Sequence, residues 1–386
     1  MSESRGWTRR EALGILGMGV ATAALPEFAS AAPLTFPKGA VIRTILKDYA
    51  PEELAGGATL FHEHMSFADN FMTRWTGYAA DSRRENAMPG APPPGATGGA
   101  GRQGGATPAP PPSTPSGKYF MQDPDYMVEE MKIAKSEGIS CIVDGGHPDM
   151  GRDLNFLRQV SQQSGLPIVA GGGFYTQPFY PKEIATMSEE QVYQALIKQA
   201  DTEPIGVFGE IGSWDYITKD ERKVFRAVGR ASAATSLPIF THTGIPGKSA
   251  LEQLDLLEDA GADPKKVVIG HLGNLTSDPN VEVHRAICRR GAFIGFDRQG
   301  SQGDAQQVPL AMKLLEAGYA YNLMFASDLS NIAQTKKGGG PGYARTLTVF
   351  VPKLKAAGAS DEVLRQIMED NPRRFLAFVP KKARRG

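Results

Sequence analysis

The sequence predicts a (β/α)8 TIM barrel, and three observations carry that prediction. Short runs rich in Val, Ile and Phe alternate with amphipathic stretches eight times along the 386 residues. The runs are apolar throughout, as strands buried on both faces of a parallel sheet are. Five of the six His (62, 64, 147, 242 and 271) fall at the C-terminal ends of runs, which in a barrel form one rim. The open doubly wound sheet is the competing topology, but no Gly-x-Gly-x-x-Gly turn follows the first run.

The expected strands are 58–65, 140–145, 167–174, 205–211, 238–243, 267–272, 292–297 and 322–328. Helices are expected over 124–137, 154–164, 188–199, 220–235, 250–260, 279–290, 305–317 and 342–357, with a last one over 361–370 before Asn371-Pro372. Gly138, Gly165, Gly261, Gly291 and Gly318 stand where helices should stop, because glycine enters the left-handed conformation of a helix C-terminus without a Cβ penalty.

Two segments stand outside this pattern. Arg9-Arg10 precedes a mild apolar run, Ala12 to Leu25, and then Ala29-Ser30-Ala31. The run is shorter than the ~20 residues of a spanning helix. Residues 1–31 therefore read as a twin-arginine export signal, with 32–386 as one domain, periplasmic or otherwise exported by the twin-arginine machinery. No Cys lies near the cleavage site, so no lipid or other stable membrane anchor is expected. Residues 89–117 hold nine Pro and eight Gly in 29 positions, a composition that buries too little apolar surface to order itself. They read as a disordered loop insertion.

Composition excludes several classes. The 42 Lys+Arg balance 42 Asp+Glu, which argues against nucleic acid or an anionic membrane as main partner. Two Cys cannot build a disulfide scaffold or an all-Cys metal cluster; Cys141 and Cys288 read as free, buried thiols.

The rim carries the chemistry. His62 and His64 flank Glu63 on the first strand, and residues two apart on a strand point the same way. Glu210, His242, His271 and Asp328 end the fourth, fifth, sixth and eighth strands. Six such groups exceed one tetrahedral site and suit two divalent ions sharing a carboxylate. His62, His64 and Asp328 are expected on one ion, His242 and His271 on the other, with Glu210 between. Water acidified between the ions would be the nucleophile and Asp328 the general base. Nitrogen and oxygen donors suit Zn, Mn, Fe or Co, with Zn the default. His147 reads as a pocket-lining or supporting group, and His284, mid-helix beside Arg285, as a surface residue.

These motifs resemble the phosphotriesterase family of the amidohydrolase superfamily over roughly Leu60 to Phe375. Thr-Leu-Phe-His-Glu-His, Gly-Arg-Asp at 151–153, Gly-Phe-Tyr around Tyr175, Gly-Glu-Ile-Gly, Thr-His-Thr, Ile-Gly-His, Ser-Asp and Asn-Pro-x-x-Phe at 371–375 carry the resemblance. It implies a binuclear metal hydrolase with the same six ligands, and a homodimer. Residues 204–215 contain no Lys, so the carboxylated lysine bridge of many members is excluded and Glu210 resembles the bridge of the glutamate branch. Gly-Phe-Asp-Arg-Gln-Gly at 295–300 resembles the Asp-Arg loop of lactonases. Arg298 and Tyr175 are thereby candidate substrate contacts. The expected activity is hydrolysis of a lactone, carboxyl ester or phosphotriester. Two other readings use the same residues: a metal-containing barrel that binds or scavenges with little turnover, and a single-metal deaminase-like barrel, which lacks a strand-four bridging carboxylate.

Overall fold

The computed structural model describes residues 34–87, 113–244, 247–299 and 303–381, with side chains of 80–87 left aside. Contacts group the chain into Met1–Leu34 and one compact unit from Thr35 onward. The expected export signal lies outside the described residues, as does most of the Gly/Pro-rich stretch. Its end, 113–117, is ordered, which corrects the expectation for those residues. Ser113 pairs with Tyr119, and Thr114 is buried with its hydroxyl on Asp123.

All eight expected strands form: Ala58–Glu63, Ile139–Asp144, Ile168–Gly172, Ile205–Ser213, Ile239–Thr243, Val267–Ile269, Phe293–Phe296 and Leu323–Phe325. They pair in chain order, every pair parallel. The seam between last and first strands is spanned by the Asp328 N–H, which donates to His62 O at 3.2 Å. Inward residues of all eight strands, among them Phe61, Val143, Val169, Val207, Phe240, Val268, Phe293 and Met324, pack as one cluster. The barrel interior is therefore a solid core, and its upper rim is a rigid platform for side chains. A short antiparallel hairpin, Ile42–Arg43 with Asp48–Tyr49, precedes the barrel.

Two register shifts matter for the rim. Strand one gains a residue against strand two between Leu60 and Glu63, and strand four against strand five between Phe208 and Ile211. Such bulges re-aim side chains. They fall at His62 and Glu210, so simple alternation does not by itself aim these two groups. Gly209 is required beside Glu210, because a Cβ there would run into the Phe240 ring.

Five helices start on side-chain caps: Asp123, Asp153, Ser188, Thr218 and Ser360 each accept backbone N–H groups of the following turn. The five expected glycine stops all have positive φ. Three helices differ from expectation, two of them for a shared physical reason. The helix expected from 279 starts at Glu282. The one expected over 342–357 is a π-turn, Thr346–Phe350, followed by Val351–Ala356. The last helix runs past Asn371-Pro372 to Leu376 after a second π-turn, Gln366–Asp370. Each π-turn ends two residues before a proline, Pro352 and Pro372. The wider turn accommodates a ring that lacks an N–H and would clash with the carbonyl four residues back. The helix Phe71–Ala87 was not expected; it leads from the first strand into the Gly/Pro-rich stretch.

Candidate metal centre

The six predicted ligands converge above the barrel core. Glu210 divides its two oxygens between two pairs of imidazoles. Oε2 lies 3.4 Å from His62 Nε2 and 3.5 Å from His64 Nε2. Oε1 lies 2.6 Å from His242 Nδ1 and 3.0 Å from His271 Nε2. The paired nitrogens are 3.3 Å apart in the first set and 2.9 Å in the second. Asp328 Oδ1 faces His64 Nε2 at 3.1 Å and His62 Nε2 at 3.8 Å. The geometry thus groups His62, His64 and Glu210 as one candidate donor set and Glu210, His242 and His271 as another.

The supports come from residues behind the rim. Asp297, which the sequence reading passed over, takes the far side of both sets: Oδ2 accepts from His62 Nδ1 at 2.9 Å, and Oδ1 from His271 Nδ1 at 2.7 Å. With both Nδ1 atoms protonated by these bonds, the Nε2 lone pairs of His62 and His271 face the centre. Asp297 carries the same signal that marked Glu210, an acid ending an apolar strand on this rim. Gln253 supports strand five by donating to His242 O at 2.8 Å. Glu63 does not reach solvent. It is fully buried, and burial lifts its carboxyl to about 7 against the Leu329 and Ser327 amides and Arg345, which pull it down.

The donor set fits cations. The centre holds three carboxylates, Glu210, Asp297 and the less deeply buried Asp328, and the guanidinium of Arg298 donates to Asp328 Oδ2 at 3.0 Å and faces His271 Nε2 at 3.1 Å. Uncompensated buried charge is costly, so the excess anion must be met by protons or metal. The titration directions say the same. Burial opposes charge on His62 and His64, yet the facing carboxylates push His62 well up and His64 to about 9. Burial, with the His271 and Arg298 charges, instead lowers His242 to about 4 against the pull of Glu210. Burial would raise Glu210, Asp297 and Asp328, but the imidazoles around them hold all three below the carboxylate range. Two ligands about 2.1 Å from one ion at tetrahedral angles lie about 3.4 Å apart. The His62–His64–Glu210 set, at 3.3 to 3.5 Å, has that spacing.

The centre opens into a cavity of about 300 Å³. Phe67, Phe71, Met72, Trp75 and Met150, from the segments after strands one and two, make an apolar wall. Arg298, Ser330, Gln334 and Arg345, from the segments after strands seven and eight, make a polar one. Both predicted contacts line the cavity. Tyr175 is buried, with its oxygen accepting from Trp75 Nε1 at 2.8 Å and lying 3.1 Å from His242 Nδ1. Burial and Glu210 hold it a phenol. Trp75 and Arg345 had no sequence signal, since neither belongs to a strand end.

The remaining predictions resolve individually. His147 is fully buried but outside the cavity wall, 3.6 Å from Asp149, whose other oxygen accepts the Tyr175 N–H at 2.9 Å. His284 is not a surface residue: it is fully buried and donates from Nε2 to Leu272 O at 2.9 Å, just past His271. Its helix presents that face to the barrel. Cys141 and Cys288 are free and buried.

Residues 48–376 match the sequence model of the Phosphotriesterase family. An N-acetyltaurine hydrolase from Pongo abelii is 30% identical over 277 residues, which is 67% of this chain and 78% of that protein. The phosphotriesterase homology protein from Escherichia coli, solved with phosphate in its active site, is 25% identical with a TM-score of 0.67, over 85% of this chain and all of that one. A structure from the molecular engineering of organophosphate hydrolysis in a weak promiscuous lactonase template is 26% identical with a TM-score of 0.65, over 87% of this chain and 99% of that one.

Proposed function

The chain belongs to the phosphotriesterase family, and on that premise we propose that it is an exported, two-metal hydrolase of a small N-acyl amine. The observation that carries the metal reading is the division of Glu210 between two imidazole pairs. His62, His64 and Asp328 would hold one ion and His242 and His271 the other, with Glu210 shared and zinc the expected metal. Bound ions supply Lewis acidity toward the scissile carbonyl and lower the pKa of water.

The chain's own groups do the rest. Asp328 is kept ionised by the imidazoles and Arg298, and it stands at the cavity edge as proton acceptor. It takes a proton from the attacking water and returns it to the leaving nitrogen, so one C–N bond breaks as one C–O bond forms. Tyr175, a phenol throughout, offers its O–H to the substrate oxygen. The amide specificity is supported by the N-acetyltaurine hydrolase relatives; it replaces the ester, lactone or phosphotriester expected from motifs alone. Arg9-Arg10 and the run after it support export of the folded chain to the periplasm.

The test is a panel of acetamides, lactones, aryl esters and a phosphotriester, assayed on purified protein before and after chelation. Turnover of the acetamides that disappears with metal, returns with zinc and is abolished by Asp328→Asn is the expected result. Turnover that survives complete metal removal refutes the reading.

A further inference from the structure

The helix Phe71–Ala87 brings to the cavity a polar group with no assigned task. Trp75 lines the cavity, and its Nε1–H donates to Tyr175 Oη at 2.8 Å. An indole N–H only donates, so the tyrosine oxygen accepts there and its own hydrogen must point elsewhere. The second neighbour of that oxygen is His242 Nδ1, at 3.1 Å. Glu210 Oε1 lies closer to the same nitrogen, at 2.6 Å. A ring nitrogen has one in-plane hydrogen-bonding position. Whichever atom holds the proton of the Glu210 contact, that position is spent, and a bound metal would spend it likewise. What remains for the Tyr175 hydrogen is the cavity, which Tyr175 itself lines.

Both partners are held in place. The Tyr175 ring, 2% exposed, packs against His242 at 5.1 Å and Phe71 at 5.8 Å, and its backbone N–H donates to Asp149. The Trp75 ring stands 5.8 Å from that of Trp214, and the Arg298 guanidinium lies 5.9 Å over its face. We propose that Trp75 is a positioning residue, which takes the acceptor side of the Tyr175 hydroxyl and thereby turns its O–H toward the substrate's carbonyl oxygen. This rests on the hydrolase reading above. Negative charge grows on that oxygen as water adds to the carbonyl, so a hydroxyl already aimed there stabilises the transition state more than the bound substrate. A hydroxyl that accepts an N–H is also polarised into a stronger donor. Without the indole N–H, the hydroxyl is free to rotate its hydrogen away from the cavity, and part of that gain is lost.

The decisive experiment is a double-mutant cycle on the holoenzyme, Trp75→Phe against Tyr175→Phe, read as kcat and KM for the best acetamide of the panel. Tyr175→Phe is expected to lower kcat about a hundredfold, the scale of one donor removed from a developing oxyanion. Trp75→Phe keeps a ring but loses the donor. It is expected to lower kcat about three- to tenfold, the scale of one neutral hydrogen bond, with KM little changed. In the Tyr175→Phe background the same change should cost less than about twofold. An equal cost in both backgrounds, or a cost confined to KM, overturns the proposal, because it marks Trp75 as wall alone. Calorimetry with methylphosphonate, a tetrahedral anion, reads the same hydroxyl without turnover. Binding weakened by Trp75→Phe in the wild type and not in Tyr175→Phe supports the positioning even where no acetamide is cleaved, a result that defeats only the hydrolase reading. The same effect of Trp75→Phe in both backgrounds overturns the positioning and leaves that reading intact. Where Trp75→Phe does not fold, the indole N–H resonances of the wild type and of Tyr175→Phe take its place: one should move between the two, and none moving overturns the proposal.

Discussion

Glu63 straps the backbone on both sides of Asp328. Its Oε1 accepts the Ser327 N–H at 2.6 Å and its Oε2 the Leu329 N–H at 2.9 Å. Asp328 is held with φ 49°, a left-handed conformation uncommon outside glycine, and its own N–H is tied to His62 O. The middle residue of the His-Glu-His run therefore orients the residue read as the proton acceptor, across the closing seam of the barrel.

Glu63→Ala is expected to lose both amide bonds and leave two buried donors unmet. A cost of about 2–5 kcal/mol follows, with a fall in activity larger than the fall in folded population explains. Glu63→Gln keeps one acceptor and should fall between. Denaturant melts and kcat measured side by side check this; an Ala variant of wild-type stability would contradict the strap.

Asp297 aims two imidazoles at once. Asp297→Asn replaces one acceptor oxygen by a donor, so either His62 or His271 loses its partner. Metal affinity is expected to drop about ten- to a hundredfold. Competition against a chelator of known affinity measures it, and the loss should appear before any change in secondary structure.

Glu210 distinguishes a paired centre from a single one. Metal analysis is expected to give two ions per chain in the wild type and fewer in Glu210→Gln. One ion in both would favour the deaminase-like barrel. Loading should also stabilise the fold, by about 4 kcal/mol at a thousandfold excess over Kd. Melting curves with and without chelator read that directly.

Asp123 ends the Gly/Pro-rich stretch by capping helix Pro124–Ser136. It accepts Thr114 Oγ1 and Ser116 Oγ at 2.6 Å and the Tyr126 N–H at 3.3 Å. Burial alone would raise its pKa, but these bonds outweigh it and hold the carboxyl below its ordinary value. A depressed folded pKa stabilises above the unfolded value of about 4 and is lost as pH falls through the folded one. Asp123→Ala should cost about 1–2 kcal/mol near neutrality, and the gap to wild type should close on acidification. A gap independent of pH would show that the charge contributes nothing.

Much of the fold was legible because its signals are local. Eight apolar runs and the glycine stops each act within a few residues, and each reappears in the structure close to its expected bounds. The two π-turns and the passage of the last helix through Pro372 were not legible. A proline reads as a stop unless the packing that widens the preceding turn is known. His284 was misplaced for a similar reason: its charged neighbour Arg285 suggests a surface, whereas the helix turns that one position onto the barrel. Trp75 lies on a segment with no expected element and Arg345 near the start of an expected helix, neither at a strand end, so only the folded chain brings them to the cavity.

From the order of residues alone came the barrel and the identity of the six converging groups, because strand ends of a parallel barrel share one rim whatever the details. Only the folded structure decided how Glu210 divides between its partners, that Asp297 and Glu63 brace the rim, and that Arg345 reaches the cavity. Those relations join residues as far as 266 positions apart. They depend on bulges, seam closure and loop packing, which no local stretch of sequence encodes.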